Sequence, residues 1–180
     1  TVNNSTGGTP NNAAWTIRAN NYNNGTETFV TPDVSSFMFS DSDAQGNGST
    51  TDAALVSPSF STVGVAAANI NLSHYFRFNA SPDKADVDIS LDGTTWTTLT
   101  SYTSTQGVRN AFASSTIALT GPFLNQPTVY IRLRLVSPWG LYWAVNSVTV
   151  TAASTAAAFN WTSAPAGFTS SVEDPTGVVP

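Results

Sequence analysis

Apolar and polar residues alternate with a period of two along most of this chain. The clearest run is Val129-Tyr130-Ile131-Arg132-Leu133-Arg134-Leu135, which places Val129, Ile131, Leu133 and Leu135 on one side of an extended strand and Tyr130, Arg132 and Arg134 on the other. Ala85–Leu91 repeats the pattern, with Val87, Ile89 and Leu91 predicted inward and Asp86 and Asp88 outward. Asp92-Gly93 then predicts a two-residue hairpin turn into a strand over Thr94–Tyr102. Further strands are expected at Ala13–Ala19, Phe37–Phe39, Ala54–Phe60, Ala68–Phe78, Phe112–Leu119 and Leu141–Val150, separated by stretches rich in Gly, Pro, Asn and Ser. No window sustains the three-and-four spacing of an amphipathic helix. The chain therefore reads as all-β, a two-sheet antiparallel β-sandwich of jelly-roll type. Pro58 has no N–H for a ladder, so its run needs an edge or a bulge there. Asn24-Gly25 and Gly46-Asn47-Gly48 mark turns.

Composition narrows the class. Only 9% of residues are charged and lysine occurs once, as Lys84, whereas 41% are hydrophobic, enough to build one core over residues 1–150. The absence of cysteine excludes disulfides and thiolate metal sites. A net charge of −5 opposes binding to nucleic acid, whose phosphates demand a basic surface, and to anionic membranes. No apolar run reaches the roughly 18 residues of a membrane span, so membrane insertion is not expected.

Four segments in one order carry a resemblance: Asp52–Phe60 (DAALVSPSF), Leu72–Phe78 (LSHYFRF), Ala85–Leu99 (ADVDISLDGTTWTTL) and Val129–Val150 (VYIRLRLVSPWGLYWAVNSVTV). Together they resemble a MAM-like jelly roll, in the version found in cell-surface proteins of Bacteroidetes. The resemblance implies a non-catalytic adhesion module on a secreted or cell-surface protein, with neighbouring domains in the same polypeptide and a structural calcium ion. One departure is Asn146 after Val145, where the family usually carries Asp. Past Val150, Thr151–Ala158 (TAASTAAA) reads as a linker. Phe159–Pro180 (FNWTSAPAGFTSSVEDPTGVVP) resembles the opening of a PKD-like or immunoglobulin-like repeat, or is a tail.

The inventory for catalysis is poor. A single His74, sharing strand phase with Leu72, Phe76 and Phe78, reads as a hydrogen-bonded core residue, and no nucleophile motif accompanies it. Asp86 and Asp88 invite comparison with a glycosidase carboxylate pair, but exposed and like-charged they would both stay ionised. Cross-strand pairing with Arg132 and Arg134 is the expected arrangement, with anion binding by the arginines as the rival. The best metal candidate is the loop Asp41–Asp52, where Asp41, Asp43, Gln45 and Asp52 approximate the oxygen spacing of a calcium loop; a polar turn explains the same residues. Ser137–Trp143 (SPWGLYW) gathers aromatics at a turn, and Trp139 and Tyr142 are the candidates for stacking on a sugar, with Trp143 assigned to the core. These readings predict a non-catalytic extracellular module that binds a glycan or a protein. A carbohydrate-binding module beside a secreted hydrolase and a structural subunit of a surface filament are the alternatives.

Overall fold

The alternation becomes two five-stranded antiparallel sheets packed face to face. The structure, a computed structural model, describes residues 1–154 and two short paired strands, Trp161–Thr162 and Thr169–Ser170. The first sheet runs β1 (Val2–Asn3), β6 (Thr51–Val56), β11 (Tyr130–Ser137), β8 (Lys84–Ser90) and β9 (Thr97–Tyr102), in that spatial order. In the second sheet the order is β10 (Ala113–Leu119), β7 (Val65–Arg77), β12 (Tyr142–Ser154), β5 (Phe37–Asp41) and β2 (Thr16–Arg18). A small hairpin, β3 (Tyr22–Asn23) with β4 (Thr28–Phe29), forms around the turn expected at Asn24-Gly25.

Between the sheets lies the main core. β11 contributes Ile131, Leu133 and Leu135, β8 contributes Val87 and Ile89, and the second sheet answers with Ile70, Leu72, Phe76, Trp143 and Val145. Each such side chain, fully buried, stabilises the fold by about 1.5–3 kcal/mol. Trp15 meets Trp143 edge to face at 5.6 Å, and its indole N–H donates to the Ala53 carbonyl at 3.1 Å, which ties the start of the chain to both sheets.

A second core covers the opposite face of the second sheet. Phe37 and Phe39 of β5, Tyr75 of β7 and Tyr142 of β12 form an aromatic layer onto which the hairpin places Phe29 and Tyr22. Glu27 fastens the hairpin by accepting from the Tyr75 hydroxyl at 3.2 Å and pairing with Arg77.

Several expectations need correction. The connection after β8 is not a two-residue turn but the segment Leu91–Trp96, with Ile89 opposite Thr97, so Leu91 is exposed. β6 stops at Val56, two residues before Pro58, and needs neither edge nor bulge there. β12 runs on to Ser154, so the first half of the expected linker is strand, paired with β7 as far as Val65. The remainder of the expected linker and tail lies outside the described residues, apart from the two paired strands named above. β1 and the β3–β4 hairpin are strands that the alternation did not announce.

Candidate functional site

The outward face of the first sheet carries three ion pairs. Asp86 and Asp88, expected to be exposed, are only 2% and 1% accessible. They point away from the core, as alternation requires, yet cations and hydroxyls close over them. Arg132, opposite Asp88 in the ladder, donates from Nε to Asp88 Oδ2 at 2.8 Å, with Nη2 in ion-pair contact with the same oxygen at 2.8 Å, while Thr98 Oγ1 donates to Oδ1 at 2.7 Å. Asp86 forms an ion pair with Lys84 Nζ at 2.9 Å and accepts from Ser101 Oγ at 2.6 Å. Arg134, although it faces Asp86 across the ladder, reaches the other way to Asp52 of β6. That pair is bidentate, with Nε–Oδ1 at 2.6 Å and Nη2–Oδ2 at 2.7 Å. The guanidinium hydrogen bonds hold the Asp52 carboxyl below its ordinary range, and Asp52 in turn raises Arg134.

Trp96 completes this face, and sequence reasoning missed it. In a two-residue hairpin it would have been an ordinary strand residue. Instead Ser90 and Asp92 capture the backbone: Ser90 Oγ accepts from the N–H groups of Asp92 and Gly93, and Asp92 Oδ1 from those of Thr94 and Thr95. These local bonds compete with the ladder and lengthen the loop. Gly93, at φ +73°, turns the chain beside the Tyr130 ring. The indole of Trp96 then folds over Arg132, whose guanidinium carbon stands 4.5 Å from the ring centroid. The available signal was Ser90 and Asp92 flanking the turn, two acceptors in the positions that favour local capture over pairing.

Trp96, Arg132, Arg134 and Asp52 border a recess of about 290 Å³, bounded also by Asn4, Gly93 and Thr94 and by an apolar strip of Val2, Ala54 and Val56. Nη1 of each arginine has no hydrogen-bond partner among the described residues. A planar polar wall thus stands beside an aromatic ring and an aliphatic strip.

The other expected site residues are placed as follows. Trp139 is exposed at the tip of its turn. Tyr142, expected outward as a stacking platform, is 1% accessible in the second core, and its hydroxyl accepts from Arg77 at 3.0 Å. Burial pushes that phenol far above its ordinary range. Outward from this sheet means beneath the hairpin, so Tyr142 offers no ring to solvent. Trp143 fills the core, as expected.

Asp41, Asp43, Gln45 and Asp52 do not converge into one ligand set. Asp41 closes β5 in one sheet and Asp52 lies in β6 of the other, because the loop crosses between sheets. Asp52 is taken by Arg134, and Asp41 is buried, its pKa raised by desolvation. Gln45 turns inward, donating to the carbonyls of Thr6, Gly7 and Thr50 and accepting from Thr51 at 2.6 Å, so it organises the N-terminal segment. Asp43 is exposed. Among the described residues no three metal-ligating side chains stand together.

His74 lies at the centre of the main core. The Trp143 indole N–H, a donor only, points at His74 Nδ1 at 3.1 Å, so Nδ1 is unprotonated and Nε2 carries the hydrogen toward Ser115 Oγ at 3.0 Å. Burial lowers its pKa to about 4. A base must accept the serine proton, and this nitrogen already holds one, so the pair is arranged for structure rather than for nucleophilic attack.

No family model and no curated protein matches the chain. Among solved structures, the K1 cleaved adhesin domain of Lys-gingipain from Porphyromonas gingivalis W83 is similar at 16% identity, with a TM-score of 0.55 over 78% of this chain and 85% of that one. TmCBM61 in complex with β-1,4-galactotriose aligns over 77% of this chain and 88% of its own at 7% identity, with a TM-score of 0.47. The first establishes a shared jelly-roll sandwich; the second is too loose a superposition to add to it. No helix among the described residues is long and apolar enough to cross a membrane.

Proposed function

We propose that this chain is a non-catalytic adhesion module of a secreted or cell-surface protein, a MAM-like jelly roll that binds an extracellular ligand through the outward face of its first sheet. The recess beside Trp96 carries the reading. It presents hydrogen-bond donors, acceptors and an aromatic ring together on a rigid sheet, and its acidic groups are engaged by cations and hydroxyls rather than free to donate protons. The sandwich shared with an adhesin domain agrees with this role, as does a surface poor in charge. In the same reading, residues beyond β12 lead to a further PKD-like or immunoglobulin-like unit, and the parent protein strings such modules together.

The test is to immobilise the whole chain and screen it against extracellular glycans and surface proteins, with parallel assays for glycosidase, esterase and peptidase turnover. Saturable binding that Trp96→Ala abolishes, with no turnover, is expected. Hydrolysis that His74→Ala or Ser115→Ala removes in folded protein would overturn the non-catalytic reading.

A further inference from the structure

We infer that the Trp96 recess takes an uncharged pyranose sugar and discriminates against acidic ones; this rests on the binding-module reading above. Every cation on the face has its own carboxylate: Arg132 with Asp88, Arg134 with Asp52, and Lys84 with Asp86. Three positive and three negative groups leave no net charge for an anion to neutralise, on a chain whose total is −5. A uronate or sulfated sugar would have to displace a bidentate carboxylate or lie beside three acids with no free counter-charge. A hydroxyl oxygen has no such difficulty, because it can accept from the unpaired Nη1 of Arg132 or Arg134 without disturbing either ion pair.

The shape of the recess agrees with a sugar. Neighbouring hydroxyls on a pyranose both donate and accept, and the Arg134–Asp52 pair offers donors and acceptors in one plane, with the Asn4 amide supplying both nearby. The aliphatic C–H face of the ring matches the apolar part of the lining, Trp96 on one side of the arginines and Val2, Ala54 and Val56 on the other. At about 290 Å³ the recess sits at the small end of ligand pockets, which suits one or two sugar units rather than a long chain segment. Trp96 is also fixed before any ligand arrives, by its loop and by Arg132, so little ordering entropy is lost on binding.

Isothermal titration of the whole chain with neutral oligosaccharides of glucose, galactose, mannose and xylose, and separately with oligogalacturonate and heparin, tests this. A neutral probe should bind with an affinity unchanged between about 0.05 and 0.5 M salt, because no net charge is neutralised. Trp96→Ala and Arg134→Gln should each weaken it about tenfold or more. Trp96→Tyr, which keeps a ring, should restore part of the loss, and melting curves would confirm that each variant is folded. Binding only to the acidic probes, weakening with salt, would overturn the inference while leaving the module reading intact. If no sugar binds but a surface protein does in the wider screen, the sugar assignment is wrong and the module stands. Turnover of a bound sugar would instead overturn the module reading.

Discussion

The two sheets solve the problem of their outward faces in opposite ways. The second sheet hides the aromatic end of its face. Phe37, Phe39, Tyr75 and Tyr142 would otherwise present a broad apolar patch, and the β3–β4 hairpin covers them with Phe29 and Tyr22. The first sheet leaves its face open but makes it polar, with Asp86 and Asp88 sunk beneath Arg132, Lys84 and the hydroxyls of Ser101 and Thr98. The covered part is stabilised by burial and the first sheet's face by paired charges, while the far end of the second sheet's outward face, with Asn71, Ser73, Ser147 and Thr149, stays uncovered and uncharged.

The comparison breaks most severely if the covered face loses its filler. Phe29 is fully buried, in contact with Phe39 at 4.9 Å and Tyr142 at 5.2 Å between ring centroids. Phe29→Ala should cost about 3–5 kcal/mol in denaturant unfolding. At a temperature where the variant is still folded, ligand binding on the opposite sheet should be unchanged.

The layer common to both sheets should reveal itself through pH. His74 has a folded pKa of about 4 against an ordinary value near 6.5, so the unfolded chain binds the extra proton first as pH falls. Stability conferred by neutral His74 is complete above about pH 6.5, declines through the interval, and levels off below about pH 4, a loss on the order of 3 kcal/mol. Asp41, whose pKa is raised by burial, acts with the opposite sign at the acidic end of that interval. Thermal melts from pH 7.5 to 4 should show the decline in the native protein and a much flatter profile in His74→Gln, whose amide can still accept from Trp143 and donate to Ser115.

The open face should respond least in stability and most in selectivity. The Asp52–Arg134 pair is partly exposed, so Asp52→Asn should shift unfolding by no more than about 1 kcal/mol. It leaves Arg134 without its carboxylate, however, and gives the recess a net positive charge. Oligogalacturonate should then bind more tightly than it does to the native protein, and salt should weaken that gain.

Alternation in the sequence located most of the sandwich because period two records which side of a strand a residue occupies. It does not record depth. Asp86 and Asp88 were assigned to the correct side and to the wrong exposure, since their burial depends on Thr98 and Ser101 of the neighbouring strand and on long side chains from β11. Tyr142 failed for a related reason: its side of the sheet is covered by a hairpin far away in the chain, at Tyr22–Phe29, whose strands are too short to show alternation. The spacing of Asp41, Asp43, Gln45 and Asp52 was real in the sequence but spanned a crossing between sheets, so equal intervals along the chain did not become proximity. Trp96 was hidden by the assumption that Asp92-Gly93 closes the tightest hairpin.

β12 holds a further consequence, a mechanical one. It lies in the middle of the second sheet, bound to β7 from Tyr142 to Ser154 and to β5 over Tyr142–Val145, whereas β1 is a short edge strand paired with β6 at Val2 and Asn3 and followed by backbone bonds from Asn4 to Asp52 and between Thr6 and Thr50. If the chain is pulled from its two ends, load at the C-terminal side must shear a long ladder whose bonds resist together. At the N-terminal side it can peel β1 away a pair at a time. Tension would therefore strip the N-terminal edge first, and with it Val2 and Asn4 from the rim of the recess, so a force sensor reading unfolding should find ligand release preceding loss of the sandwich.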